Sequence, residues 1–105
     1  MDKMLTILRE IRLPFAYRHF AEGESPRPPF LCFLSSRSDN FAADGKAYHK
    51  ITEYVIEMYT DRKSPPVERQ VEAVLDRHGL FYSKSELWIE RERLYVILYS
   101  FELED

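Results

Sequence analysis

The sequence predicts an α+β fold, a mostly antiparallel sheet of about five strands with two helices on one face, in the order α-β-β-β-α-β-β. Three observations carry this expectation. Within Lys50 to Thr60, Tyr54, Ile56 and Met58 alternate with Glu53, Val55 and Glu57. That period of two sends three large apolar side chains to one side of a strand. Within Met4 to Ile11 and Val67 to His78, apolar residues instead recur at three- and four-residue steps, as in helices that turn one face to a core. The closing segment then puts Tyr95, Ile97, Tyr99, Phe101 and Leu103 on one side of a last strand.

Each element has its own local reason. A first helix is expected over Asp2 to Ile11, where Met4, Leu5, Leu8 and Ile11 share a face and Pro14 limits any extension beyond Arg12. Phe15 to Phe20 alternates as a strand, and Ala21 to Pro29, with Gly23 and three prolines, reads as an irregular connection. Phe30 to Leu34 is apolar without alternation, so it reads as a strand covered on both faces and paired with Phe15 to Phe20 in an antiparallel hairpin. Ser35 to Lys46 is polar apart from Phe41, and two readings stand: a solvated loop, or an arm whose Phe41 docks on another subunit. The central strand follows and ends at the turn residues Asp61 to Pro66.

The second helix begins with Ser64 as cap and Pro65 at its first position, and Gly79 ends it. Val67, Val71, Val74, Leu75 and His78 form its inner face, with Glu68, Arg69, Glu72, Asp76 and Arg77 opposite. Leu80 to Ile89 and Leu94 to Leu103 complete the sheet, joined by the charged, glycine-free turn Glu90 to Arg93. With 105 residues, 45% of them hydrophobic, the chain 1–105 suits one domain with one core.

Composition narrows the function. A net charge of −3 and the lack of a basic block argue against sequence-specific nucleic-acid binding. Up to Lys50 there are eight basic and six acidic residues, and after it seven and twelve, a mild asymmetry that could give a subunit complementary edges. The lone Cys32, between Leu31 and Phe33, fits a small core residue in a reducing compartment. Charges at the N-terminus and the absence of a long apolar run predict neither a secretion signal nor a membrane span. His19, His49 and His78 are scattered, Gly23, Gly45 and Gly79 stand alone, and no nucleophile elbow occurs. No catalytic, cofactor-binding or metal-binding set is therefore expected, and the chain is not expected to be an enzyme.

What the sequence does show is surplus apolar surface. Val55 and Tyr59 on the central strand, Trp88 on the fourth and Leu98 on the last exceed what two helices can cover. A partner is the economical explanation. The candidate interface residues are Phe41, Glu53, Val55, Glu57 and Tyr59, on the face away from the helices and on the arm.

The order of elements resembles that of the small tail terminator, or tail completion, proteins of long-tailed bacteriophages. Pro14 to Phe20, Ser38 to Phe41, Tyr48 to Thr60 and Glu90 to Leu103 are similar to small prophage neck or tail proteins of Gram-positive bacteria. The resemblance spans nearly the whole chain as a pattern of apolar positions, without a sharp chemical motif. It implies a ring-forming structural subunit, typically a hexamer, that caps the tail tube and meets the head connector. Its partners would be further copies of itself, the tail tube protein and the head-tail connector protein, and it would pass from the host cytoplasm into the virion. The alternative is a small non-enzymatic α+β adaptor that recognises a protein or nucleic-acid partner, for instance through an edge strand.

Overall fold

The computed structural model describes residues 2–43 and 46–104, with residues 37–43 and 46–50 described by backbone alone. Its elements are α1 (Asp2–Ile11), β1 (Phe15–Tyr17), β2 (Phe30–Ala43), β3 (Lys46–Thr60), α2 (Pro65–Arg77), β4 (Ser83–Ile89) and β5 (Leu94–Glu104). They build a five-stranded sheet of order β1-β2-β3-β5-β4, antiparallel at every step except β1 to β2. The fold is α+β, in the expected order.

The alternation in β3 organises the core. Tyr54, Ile56 and Met58 are each at most 2% exposed. In register they lie beside Phe101, Tyr99 and Ile97 of β5, and Phe33 and Leu31 of β2 flank the last two. Met4, Ile7, Leu8 and Ile11 of α1 and Val71, Val74 and Leu75 of α2 join the same cluster, so both helices lie on one face. Burying each such side chain contributes about 2 kcal/mol, which makes this layer the main source of stability.

Three polar contacts pin the helices together and to the sheet. Gln70 Nε2 donates to the carbonyl of Ile11 at 2.6 Å, satisfying an orphan acceptor at the end of α1. His78 Nε2 lies 2.6 Å from Glu10 Oε1, and Lys3 Nζ donates to the Glu104 carbonyl at 2.7 Å. Helix α2 ends in a left-handed turn: Gly79, at φ 68°, donates to Asp76 and Leu80 donates to Leu75. Leu80 then packs on the core, the usual hydrophobic companion of such a cap. After α1, Arg12 holds the same kind of conformation at φ 65° without glycine's freedom. Ser64 sits at the N-cap of α2 but makes no side-chain cap; its carbonyl accepts from Val67 and Glu68 instead.

Several expectations are corrected. The strand β1 stops at Tyr17 and pairs with β2 in parallel, not as a hairpin. Arg18, at φ 66°, closes a γ-turn of the rare positive-φ kind in which His19 donates to the Tyr17 carbonyl at 2.8 Å. The intervening residues 18–29 are enough to return the chain to the start of β1, so β2 enters beside it in the same direction. The segment expected as a loop or arm is not irregular over residues 35–43: β2 runs on to Ala43 and β3 begins at Lys46, with a bulge between Ser35 and Arg37. Only Ile51 to Thr60 of β3 also pair with β5, so the β2–β3 hairpin projects beyond the sheet. The radius of gyration is 15.0 Å, against about 13 Å for a compact chain of this length. The fourth strand begins at Ser83, not Leu80.

Glu68 is the other correction: it is 6% exposed and not on the outer face of α2. The first turn of α2 lies over the β4 edge, where Lys84 Nζ sits 2.7 Å from both Glu68 Oε1 and Glu72 Oε2. Lys63 Nζ is 2.8 Å from Glu68 Oε2, off the line of a good hydrogen bond, and also pairs with Glu86. Tyr99 donates to Glu72 at 2.8 Å, which completes the network. Burial works to raise the Glu68 pKa, but Lys63 and Lys84 outweigh it and the carboxyl is held below its ordinary value.

Two predictions follow from this layer. Gly79→Ala should lower stability by about 1 kcal/mol through backbone conformation alone, since a Cβ there would touch nothing within 4 Å, while Arg12→Gly should leave stability equal or higher; urea midpoints decide. Because the folded pKa of Glu68 is depressed, its stabilisation is present above the ordinary carboxylate range and fades as pH falls through and below it. Glu68→Gln should therefore lose about 1–2 kcal/mol at pH 7, discounted for the partly exposed lysines, and show a flatter stability profile between pH 5 and 3 in thermal melts.

Candidate functional site: the open face of the sheet

The strand period that fills the core also dictates what lies on the opposite face. Glu53, Val55, Glu57 and Tyr59 of β3 point there together, each half-buried, as the sequence pattern required. Beside them in register lie Glu102, Ser100, Leu98 and Val96 of β5. Beyond β5 come Ser83, Ser85, Leu87 and Ile89 of β4. On the other side are Leu34, Cys32 and Phe30 of β2. No helix reaches this surface, which combines apolar side chains with the carboxylates of Glu53, Glu57 and Glu102.

One end of the face is closed by the chain itself. Phe30 stacks on Tyr59 with ring centroids 4.9 Å apart and planes 16° from parallel, and Phe20 meets Phe30 edge-on at 5.4 Å. The 18–29 connection is thus folded over this corner, which leaves Phe30 only 8% and Cys32 only 4% exposed. A shallow cavity of about 210 Å³ remains there, lined by residues that include Arg18, His19, Ser25 and Glu92. Offset aromatic stacking of this kind fixes side-chain orientation as well as burying area.

Burial and the Glu57 carboxylate keep the titratable Cys32 and Tyr59 of this corner protonated. Burial, and then the Glu57 carboxylate, push the Cys32 thiol up to about 11, so it is held as thiol at neutral pH. Burial, and then Glu57, also raise the Tyr59 phenol, whose hydroxyl donates to Glu57 Oε1 at 3.0 Å. His19 Nδ1 is 3.1 Å from the Phe20 carbonyl, a local contact that does not aim the ring at a substrate position. Glu53 accepts from Ser36 Oγ at 2.7 Å, so the bulge in β2 orients this carboxylate. Among the described residues, no three His, Cys, Asp or Glu side chains are grouped to hold a metal ion. No described helix is long and apolar enough to cross a membrane.

The chain matches no family model and no curated protein.

Of the five interface residues expected from sequence, four share the open face. For Phe41 the backbone is placed opposite His49 in the projecting hairpin, and both side chains lie outside the described residues. Trp88, expected to add to the surplus, is on the helix side, its ring 4.7 Å from that of Tyr95. Phe20, Phe30 and Cys32 were missed as parts of this face. The unbroken apolar run Phe30 to Leu34 signalled cover on both sides but could not say that Phe20 supplies part of it.

A thiol-labelling measurement tests the covered corner. With its pKa near 11, only about a thousandth of Cys32 is thiolate at pH 8, and labelling of the native protein should be correspondingly slow. Phe20→Ala should accelerate it by about tenfold while leaving the fold intact, since the ring packs outside the main core. Unchanged labelling would mean that Phe20 does not guard the thiol.

Proposed function

We propose that this chain is a structural subunit of a bacteriophage tail or neck, a tail terminator that associates into a closed ring, caps the tail tube and joins it to the head connector. The observation that carries this reading is the open face itself. Val55, Tyr59 and Leu98 lie on the central strands, half-buried within one chain and reached by neither helix. In a monomer such a surface would stay in water, whereas in an assembly it becomes the buried centre of an interface rimmed by Glu53, Glu57 and Glu102. Supporting it are the resemblance in element order and a site with neither an activated nucleophile nor a metal cluster among the described residues.

A ring is built from head-to-tail contacts, so the open face of one subunit meets a different surface of the next. The carboxylates around the apolar patch set register and partner choice more than affinity. In this role the protein would reside in the virion after assembly from the cytoplasm of the host.

The test is Val55→Lys. Its side chain lies outside the helix-side core, so circular dichroism and the urea midpoint should stay within about 1 kcal/mol of the parent. Native mass spectrometry should show closed multimers for the parent and a shift to monomers for the variant. Unfolding of the variant would place Val55 in the core, and unchanged multimers would remove this face from the interface.

A further inference from the structure

The two edges of the sheet are finished very differently. The β1 edge has three residues and is cut off by the γ-turn at Arg18, which leaves little backbone for another strand to join. The β4 edge runs for seven residues without proline, and all but Ile89 are exposed. Charged side chains normally guard such an edge, yet both of those on β4 are already paired within the chain, Lys84 with α2 and Glu86 with the turn before it. Lys84 is held by Glu68 and Glu72, and Glu86 by Lys63. Three exposed large hydrophobic residues belong to this edge or the residues leading into it: Phe81 is 97% exposed, Leu87 46% and Trp88 39%. An open edge of this kind, carrying exposed apolar residues beside its polar ones, is a template for another strand.

We propose that β4 pairs antiparallel with β4 of a second copy, around a two-fold axis through Ser85, to make one continuous ten-stranded sheet across two chains. The residues themselves select the occupant and the register. With Ser85 on the axis, Lys84 faces the partner's Glu86 and Glu86 faces the partner's Lys84, so no like charges meet. On the same side Tyr82 faces the partner's Trp88. On the open side Leu87 faces the partner's Ser83, and Phe81 faces the partner's Ile89. An axis through Glu86 would set that carboxylate against its own copy. An axis through Leu87 would put Glu86 on the partner's Trp88 and leave Phe81 without an apolar partner. Odd registers would place core-side residues opposite open-face residues and break the pleat.

This contact is isologous and separate from the ring surface proposed above. It covers only a strand edge and its flanks, so the dimer should be weak and visible at high protein concentration.

Cross-linking tests it. On the axis, residue 85 meets itself at Cα separations within reach of a disulfide, whereas residue 83 meets residue 87. Under mild oxidation the full chain carrying Ser85→Cys should form covalent dimers at a rate at least about tenfold above Ser83→Cys, and the double variant Ser83→Cys with Leu87→Cys should again link efficiently. The parent, whose Cys32 is buried, is the control. Val55→Lys should leave the cross-link unchanged, which separates this contact from the ring. In sedimentation of Val55→Lys, which lacks the ring contact, adding Phe81→Asp should shift dimerisation to about tenfold higher concentration; the Phe81 side chain touches little in its own subunit, so folding is not at stake. Equal cross-linking at residues 83 and 85, or a Val55→Lys protein that stays monomeric at about 100 μM, would overturn the proposal, as would an unaltered dimer when Phe81→Asp is added to it.

Discussion

Two helices lie on one face of a five-stranded sheet, and that inequality of area governs the rest of the molecule. With ten and thirteen residues, α1 and α2 are about 15 and 20 Å long, enough to seal one side of the central strands and nothing of the other. The sealed side collects Tyr54, Ile56, Met58, Ile97 and Tyr99, each at most 2% exposed. The other side keeps the remaining half of the same strands. Because side chains alternate strictly along a strand, a sequence cannot improve one face without deciding the other. Val55, Tyr59, Val96 and Leu98 therefore fall on the second face, beyond the reach of either helix.

Some of that cover is internal. The 18–29 connection brings Phe20 onto Phe30, and Phe30 onto Tyr59, and so closes one corner at the cost of a strained turn at Arg18. The same connection sets β1 parallel to β2 and blunts that edge of the sheet. At the opposite edge the ion network of Lys63, Glu68, Lys84 and Glu72 fastens α2 over β4 and β5. Through Lys63 it also engages Glu86, so both charged side chains of β4 are paired within the chain. The β1 edge is closed by chain geometry, and the β4 edge is left open.

The same burial sets the state of the molecule's thiol and phenol groups. Its single cysteine is a buried thiol with a raised pKa. Its strongly perturbed tyrosines, Tyr59 and Tyr99, owe their shifts first to burial, and each donates its hydroxyl to a glutamate. Desolvation holds both phenols neutral, and their carboxylate acceptors fix the orientation of the rings.

Sequence alone determined the elements whose cause is local. The period in Met4 to Ile11 set α1, the proline entry and glycine exit set α2, and the alternation in Glu53 to Tyr59 assigned each residue its face, including the four interface candidates of the open side. Tertiary structure decided whatever depended on distant partners. The direction of β1 follows from where a twelve-residue connection lands, and a strand's sequence is the same for parallel and antiparallel neighbours. The continuation of β2 through Ser35 to Ala43 rests on pairing with β3, which polar residues such as Ser38 and Asn40 do not announce. Glu68 reads as surface because carboxylates on helices usually are. It is buried here because Lys63 and Lys84, contributed by the turn before α2 and by β4, converge on it only after the chain has folded.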